Sequence, residues 1–169
     1  LANERNVKND TIQANRGNIY ADDGSLLATS ISKYDIRFDA VTVKQSTFDR
    51  HIKALSDSLA IMLGKNSRYY QQKLKRARKN KKRYELIARN LRYSDYKRIK
   101  GFPLFNLGAY KGGLIIEQRT VREHPIGKIA RRTIGYERSD GQGNYTRPGI
   151  EGGYIDYLKG VNGHRLKQK

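Results

Sequence analysis

Two serines stand three residues before a lysine, a spacing that can support nucleophilic catalysis. The pairs are Ser30 with Lys33 and Ser94 with Lys97. On one turn of a helix, this spacing places the lysine amine beside the serine hydroxyl, where the amine can accept the proton and prepare the oxygen for acyl transfer. A chain with 9 serines and 17 lysines contains nearly as many such pairs by chance, and Ser30 lies between two stretches with strand patterns. We therefore assign no catalytic residues and expect that this chain is not itself an enzyme.

Metal and cofactor sites have no better support. The chain has no cysteine, which excludes disulfides, thiolate catalysis and zinc ribbons. His51, His124 and His164 are far apart and share no ligand spacing. The glycines within 141–143 begin like a dinucleotide-binding loop, but Thr146 stands where the third glycine belongs. We predict no metal ligands and no cofactor.

Positive charge is the most extreme property of the composition. The 169 residues carry a net charge of +19, and residues 65–100 hold fifteen Lys and Arg against two acidic residues, a net charge of +13. Such a segment favours a polyanionic partner, namely nucleic acid, anionic lipid headgroups or an acidic polymer. A solvated charged face would have the same composition, and both interpretations stay open. The predicted basic interaction patch comprises Lys73, Arg76, Arg78, Lys79, Lys81, Lys82 and Arg83.

Nucleic-acid binding is the alternative function raised by this segment. Its lysines and arginines would contact phosphates, and neighbouring tyrosines would stack on bases. No motif of a known nucleic-acid-binding module accompanies them. The tyrosines in question are Tyr69, Tyr70, Tyr84, Tyr93 and Tyr96.

The elements that must position these residues follow from hydrophobic periodicity. Apolar residues on both sides of an Asp-Gly pair predict a β-hairpin over 19–28, with Gly24 in the turn. Strict alternation predicts a half-buried strand over 34–40 with its charged residues on the exposed face. Residues 1–15 show only weak patterning and are expected to be a polar lead-in.

The middle of the chain changes to helical spacing. A helix is predicted from Ser46, as its N-cap, to Gly64, where the glycine ends it. A second helix is predicted over 67–79, followed by a strand over 84–88 and a brief helix over 94–100. The basic segment is therefore expected to be folded. The residues predicted to face inward from the two longer helices are Ile52, Leu55, Leu59, Met62, Leu63, Tyr70, Leu74 and Ala77.

The last third returns to strand and turn patterns. A strand is predicted over 114–116, and a final helix over 150–159 with Ile150, Tyr154 and Leu158 on one face. Together these elements predict an α+β fold, in which the N- and C-terminal parts form a strand-rich stalk and a basic helical head is inserted at about 46–100. The expected segments are 1–45 and 106–169 for the stalk and 46–105 for the head.

Three stretches, taken together, resemble the non-catalytic N-terminal module of class B penicillin-binding proteins, called the pedestal or dimerisation domain. They are an Arg-Gly, Asp-Gly and Leu-Ala series in 16–28, an Arg-x-His-Pro-x-Gly series from residue 122, and a Gly-x-Glu-x-x-Tyr series from residue 149. The sequence departs from the family pattern at Ala21 and Asp22, where Asp and Arg are usual, and at His124, where Tyr is usual. The matching positions are Arg16, Gly17, Gly24, Arg122, Pro125, Gly127, Gly135, Gly149, Glu151 and Tyr154.

The resemblance implies a location and a role. Residues 104–113 and 130–135 are similar to division-type members from Bacteroides-like bacteria. The module would be the periplasmic, extracytoplasmic part of a bitopic inner-membrane protein, with a transmembrane helix before it and a peptidoglycan D,D-transpeptidase domain after it, outside this sequence. Penicillin binding would reside in that domain. The missing catalytic motifs are then expected.

The implied partners are other proteins of cell-wall synthesis or cell division, among them a polytopic glycosyltransferase, while the module positions the transpeptidase. A homodimer, or a contact with anionic lipid headgroups or peptidoglycan, stays open, and nucleic acid is not expected. Arg16 and Glu151 belong to two matched stretches and could form a buried ion pair between them. Two separate surface charges are the alternative.

Overall fold

The structure is a computed structural model that describes residues 7–12, 14–127, 129–142 and 144–168. Its mixture of helices and strands confirms the α+β class. The described elements, in chain order, are β1 (Val7–Ile12), β2 (Ile19–Tyr20), β3 (Leu26–Phe38), α1 (Gln45–Leu63), α2 (Ser67–Lys79), β4 (Glu85–Leu91), α3 (Tyr93–Lys100), a 3₁₀ turn (Phe105–Leu107), α4 (Gly108–Gly112), β5 (Leu114–Glu123), α5 (Arg131–Ile134), β6 (Arg138–Ser139), β7 (Tyr145–Thr146), α6 (Ile150–Gly153), α7 (Ile155–Leu158) and β8 (Gly163–Gln168).

The chain divides into two compact units. Unit 1 contains the described residues up to Ile31 together with those from Thr120 onward, and unit 2 contains Ser32–Arg119. The N- and C-terminal parts of the chain therefore share one unit. Unit 2 includes the 46–105 segment and strand residues on both sides of it.

Unit 1 is held together by short antiparallel pairs. β1 pairs with β8 in a two-stranded ribbon, in which Val7 lies opposite Gln168. β2 pairs with the beginning of β3 through a turn whose Gly24 has φ 77°, which confirms the predicted hairpin. The β1–β8 ribbon corrects the prediction of a polar lead-in. The described apolar side chains of the ribbon, Ile12 and Leu166, are exposed. Because the ribbon buries no apolar face there, its sequence has no alternating apolar pattern that would predict strands.

Unit 2 contains the main apolar core. The end of β3 pairs antiparallel with β4, with Ile36 opposite Ala88, and β5 also pairs with β3. Helices α1 and α2 contribute their apolar faces to the same core. Burial of each large side chain stabilises the fold by about 1.5–3 kcal/mol. The fully buried side chains of this core include Ile36, Phe38, Leu55, Leu59, Leu74, Ile99, Leu104 and Phe105.

The long strand begins at Leu26, before the predicted start at residue 34, and differs from its prediction in two further respects. β3 ends at Phe38, because the Asp39 carboxylate accepts hydrogen bonds from the N–H groups of Val41 and Thr42 and turns the chain. Asp35 is buried, although the alternation placed it on the exposed face. The N–H of Asn90 donates to Asp35 Oδ1 at 2.8 Å and satisfies the buried oxygen.

Helix α2 has its predicted bounds, and α1 nearly so. The Asn66 side chain caps α2 by accepting from the N–H of Tyr69 at 2.7 Å. α1 ends at Gly64 with φ 77°, as predicted. The predicted N-cap of α1 is wrong, because the helix already begins at Gln45 and Ser46 lies in its first turn. The inward residues of α2 are Tyr70, Leu74 and Ala77, as predicted.

The predicted final helix is broken into α6 and α7. Tyr154, with φ −111° and ψ 29°, separates them and is exposed, so it does not share a face with the buried Leu158. Two glycines precede the break, and glycine is the weakest helix former after proline. Gly152 lies against Arg147, whose carbonyl oxygen would be 1.8 Å from an added Cβ.

Within the described ranges, no helix combines the length and the apolar character required to cross a bilayer.

Candidate functional site

The centre of unit 1 is a fully buried carboxylate. Glu151, in α6, is 0% exposed. Arg16 donates to Glu151 Oε2 from Nε at 3.1 Å and from Nη2 at 2.6 Å, and to the Glu151 carbonyl oxygen at 3.0 Å. Arg122, near the end of β5, donates from Nε to Glu151 Oε1 at 2.7 Å. The structure thus contains the hypothesised buried Arg16–Glu151 ion pair, and it adds a second arginine.

A second carboxylate extends this arrangement. Arg16 Nη1 donates to Glu137 Oε2 at 3.1 Å, and Arg147 Nε donates to the same oxygen at 2.6 Å. We call Arg16, Arg122, Glu137, Arg147 and Glu151 the Glu151 network. Because three arginines face two carboxylates, most of the charge is neutralised inside the unit. Such a network favours a single arrangement of the segments that it joins.

Two glycines let the backbone bring Glu151 into place. Gly135 has φ 84°, and a Cβ at this position would lie 1.7 Å from the carbonyl oxygen of Pro148. Gly149 has φ 70°, and its Cβ would lie 2.4 Å from the carbonyl oxygen of Thr133. Any other residue would clash and also require the left-handed backbone conformation. The segment before α6 therefore packs directly against the end of α5.

The other family-motif positions have separate roles. Gly17 donates its N–H to the Leu158 carbonyl at 2.9 Å, and Gly127 donates to the His124 carbonyl at 2.9 Å. Pro125 is exposed in the turn after β5. Together with the hairpin position Gly24 and the exposed Tyr154, these residues lie outside the Glu151 network.

One side of Arg122 is incompletely bonded. Its Nη1 donates to Ser30 Oγ at 3.1 Å, whereas Nη2 is buried without a partner among the described residues. His124 Nδ1 is likewise buried without a partner there. Ser30 accepts this bond from a β-strand, where a residue three positions on points to the opposite face. The Ser30–Lys33 pair therefore lacks the geometry for proton transfer.

The second Ser-x-x-Lys pair lies on the surface of α3. Ser94 and Lys97 are both exposed, and Lys97 Nζ lies over the Tyr93 ring at 5.3 Å from its centroid. In the part of the chain that the structure describes, no group of three or more His, Asp or Glu side chains is arranged to hold a metal ion.

The basic patch of unit 2 divides into inward and outward residues. The Arg78 guanidinium donates to the carbonyl oxygens of Ala40 at 3.0 Å and Val43 at 2.8 Å, and to Gln45 Oε1 at 2.7 Å. It also lies over the Phe48 ring. The Arg78 side chain therefore joins α2 to the backbone at the start of α1. The outward residues are Arg76, Lys79, Lys81, Lys82 and Arg83, and Lys73 is half-buried.

Two groups beside the patch have shifted pKa values. Burial raises the pKa of the Tyr70 phenol, and the neighbouring Tyr69 adds to the shift. Partial burial opposes ionisation of Asp39, but hydrogen bonds from the Thr42 hydroxyl and from the N–H groups of Val41 and Thr42 outweigh it. The pKa of Asp39 therefore lies below its usual value.

The tyrosines considered for base stacking already have internal contacts. Tyr70 is buried, and Tyr96 stacks on Tyr34 with ring centroids 4.7 Å apart. The Arg37 guanidinium covers one face of Tyr84 at 4.2 Å. Lysines lie over the rings of Tyr69 and Tyr93. Tyr69, Tyr84 and Tyr93 are exposed, but each has a cation over one face of its ring.

Two residues of the Glu151 network belong to no predicted site, and two residues of α2 belong to the predicted basic segment 65–100 but not to the predicted patch. Glu137 and Arg147 complete the Glu151 network, yet neither belongs to a matched motif position. Their only sequence signal is that they flank the turn-rich stretch between the second and third matched segments. Arg68 and Lys75 extend the outward basic face of α2, and their helical spacing relative to Lys79 could have placed them there.

Comparison with known proteins identifies the family. The model of the penicillin-binding protein dimerisation domain matches residues 11–168. Penicillin-binding protein 2X from Streptococcus thermophilus has a similar structure, with a TM-score of 0.68 and 21% identity over 96% of this chain and 28% of that chain. A peptidoglycan synthetase from Bifidobacterium adolescentis gives a TM-score of 0.50 and 22% identity over 95% of this chain and 31% of that chain.

This chain therefore spans less than a third of the length of either solved protein. No curated protein matches the sequence. The family match covers nearly the whole chain. The matching family is that of the dimerisation module and not that of the transpeptidase domain. The chain belongs to the penicillin-binding protein dimerisation domain family.

Proposed function

We propose that this chain is the pedestal of a penicillin-binding protein. In this role it holds a peptidoglycan transpeptidase domain at a fixed position outside the cytoplasm and contacts partner proteins of cell-wall synthesis. Family membership supports a role in peptidoglycan synthesis. The finer assignment, to cell division in Bacteroides-like bacteria, rests on the sequence resemblance.

The observation that carries the proposal is the Glu151 network. Arg16 precedes the first hairpin, Arg122 lies in β5 and Glu151 lies in α6, so one buried carboxylate joins segments up to 135 residues apart in sequence. A charge-assisted cluster with several hydrogen bonds resists bending, because every displacement exposes or separates buried charges. Resistance to bending is what a supporting module requires.

The chemistry would lie in another domain of the parent protein. Ser30 and Lys33 lie on a strand and point to opposite faces, and Lys97 lies over the Tyr93 ring, 5.3 Å from its centroid. Penicillin and the stem peptide would bind the transpeptidase domain. The pedestal would influence that reaction through position alone, as a membrane-anchored stalk.

Partner contact is the second part of the proposal. The family description indicates dimerisation, and a homodimer or a contact with a membrane-embedded glycosyltransferase would both use exposed surfaces. Unit 2 offers the larger outward basic surface. Unit 1 offers exposed Tyr154 and Tyr157, whose rings are 6.1 Å apart.

Three measurements test the proposal. A fluorescent penicillin should label the parent protein and leave the 169-residue chain unlabelled; stable acylation of the isolated chain would overturn the non-catalytic role. In cells, Glu151→Gln in the parent protein should impair cross-linking while penicillin acylation of the purified parent is retained. Normal growth of a strain whose parent protein lacks residues 11–168 would contradict a supporting role.

A matched substitution controls for a general loss of charge. Asp156→Asn removes an exposed carboxylate that contacts Lys159, three residues away on the surface. It should leave both cross-linking and acylation unchanged. An equal defect in the two variants would remove the link between the buried network and function.

A further inference from the structure

The outward face of α2 carries four cations and no acid. Arg68, Lys75, Arg76 and Lys79 lie on the side away from the buried Tyr70, Leu74 and Ala77, and the 13 residues of the helix include no Asp or Glu. We call these four residues the α2 cationic face. With a rise of 1.5 Å per residue, the charges extend over about 16 Å.

The charge of this face is not neutralised within the chain. Across the described residues, none of its four side chains forms an ion pair, in contrast to Lys82, whose Nζ lies 2.9 Å from Glu85 Oε2. Arg78, on the same helix, is turned inward to backbone carbonyls. The face therefore has its full charge available to an external anion.

A shallow groove beside the face can seat one anionic group. It has a volume of about 290 Å³ and is lined by Tyr69, Gln72, Lys73, Arg76, Ala77, Lys82 and Glu85. The ammonium, guanidinium and amide groups of this lining donate hydrogen bonds of the kind that phosphate oxygens accept. Lys82 is paired with Glu85, whereas Lys73 and Arg76 form no ion pair with another described residue.

The length of the face determines the kind of ligand. A single phosphate in the groove would contact neither Arg68, Lys75 nor Lys79, so a ligand that engages the whole face presents several anionic groups spread over about 16 Å. A membrane with anionic lipids and a nucleic acid both meet this condition. A lipid surface and a nucleic acid differ in whether binding requires exposed tyrosine rings.

The tyrosines favour a lipid surface. Single-stranded nucleic acid would need several open aromatic faces for stacking, whereas Tyr70 is buried, Tyr96 stacks on Tyr34, and Arg37 lies over one face of Tyr84. A headgroup layer needs no open ring face. Tyr69, 43% exposed beside the groove, has the amphipathic ring that is typical of membrane interfaces.

We propose that the α2 cationic face binds the phosphate groups of an anionic lipid surface, with one headgroup phosphate in the Lys73–Arg76–Lys82 groove. The inference rests on unit 2 alone. It stands independently of the pedestal role, because neither the Glu151 network nor a transpeptidase domain enters it.

Co-sedimentation of the 169-residue chain with vesicles tests the proposal. The chain should bind vesicles of phosphatidylcholine with phosphatidylglycerol, and it should not bind phosphatidylcholine alone. K75Q/R76Q/K79Q should weaken binding to the anionic vesicles by on the order of a hundredfold, since each basic residue near a charged leaflet contributes about tenfold or less. Glutamine is nearly as good a helix former as lysine and arginine, so α2 should stay folded.

A matched variant separates position from total charge. R131Q/R132Q/R138Q removes three exposed cations of unit 1 and should retain nearly all of the binding. K75R/K79R keeps the charge of the face and should also retain it. An equal loss of binding in the two glutamine variants would overturn the proposal, because binding would then depend on the net charge of the chain and not on the α2 cationic face.

Competing anions separate the possible ligands. Inorganic phosphate should not displace the chain from vesicles at equal phosphate concentration, because it lacks a spread of fixed charges. Equal recovery on neutral vesicles would overturn the proposal, as would displacement by a short DNA duplex that binds more tightly than the vesicles do. The fluorescent penicillin assay on the parent protein tests the pedestal role independently of vesicle binding.

Discussion

The arginines around Glu151 and the basic residues of α2 carry the same charge in opposite settings. In unit 1, Arg16 and Arg122 are largely buried and directed at one carboxylate that is 0% exposed. In unit 2, Lys75 and Lys79 face solvent on a helix without acidic residues. The first set stabilises the fold and the second is available for binding.

This contrast shows why a count of charges is a poor guide to function. Residues 65–100 dominate the net charge, yet one of their arginines, Arg78, has the same internal role as Arg16. What separates structural from available cations is burial and the presence of an acceptor within the chain. Four experiments on the two units follow, in order of decreasing expected effect.

The largest effect should come from Glu151→Gln in unit 1. It removes the counter-charge of buried Arg122 and one of the two carboxylates that face Arg16, so we expect the free energy of unfolding to fall by about 3–5 kcal/mol. Urea denaturation of the 169-residue chain measures it. An unchanged midpoint would show that the Glu151 network is not needed for stability, and the contrast between the units would be lost.

Gly135→Ala tests the backbone contact that positions Glu151. The added Cβ would meet the Pro148 carbonyl oxygen at 1.7 Å in a residue with φ 84°, and we expect a loss of about 3 kcal/mol. Gly127→Ala is the control, because Gly127 has φ 70° but nothing within 4 Å of its Cβ. That variant should lose about 1 kcal/mol. Equal losses would mean that the clash relaxes without cost.

Neighbouring residues of α2 allow the sharpest comparison. Arg78→Gln removes charge-assisted hydrogen bonds to two carbonyl oxygens and should cost about 2 kcal/mol. Lys79→Gln, one residue on, should change stability by less than about 0.5 kcal/mol. Thermal unfolding of the two variants measures which of them is the more destabilised. If Lys79→Gln were the more destabilising, the division into inward and outward cations would be wrong.

The smallest effect concerns pH. The folded-state pKa of Asp39 lies below its unfolded value, so its contribution to stability is present above the unfolded pKa near 4 and is lost as pH falls through the lower folded pKa. The wild-type chain should therefore lose stability between pH 5 and 2 more steeply than Asp39→Asn, by about a few tenths of a kcal/mol. Identical pH profiles would show that the hydrogen bonds from Val41 and Thr42 do not favour the ionised form.

Strong local patterns made much of unit 2 predictable. The bounds of α2 and the end of α1 at Gly64 followed from apolar spacing and capping, because both depend on residues within a few positions. The start of α1 did not follow. Arg78, distant in sequence, bonds to the Ala40 and Val43 carbonyls just before the helix, and no local signal reports such a contact.

Unit 1 was harder to predict because its contacts are long-range. Only the matched motifs indicate the Arg16–Glu151 pair in the sequence. No sequence pattern indicates Glu137 and Arg147, because they join the network through tertiary contacts. The β1–β8 ribbon was missed because its exposed apolar residues leave no alternation. The break at Tyr154 reflects the close approach of Gly152 to Arg147, which tertiary packing imposes.

The register of the β1–β8 ribbon has a mechanical consequence. Val7 and Gln168 face each other at one end of the ribbon, and Ile12 and Gly163 at the other. Tension applied at Val7 and Gln168 would load one residue pair at a time, like a zipper opened from its end. Opening would therefore begin at the Val7–Gln168 pair and reach the Ile12–Gly163 pair last.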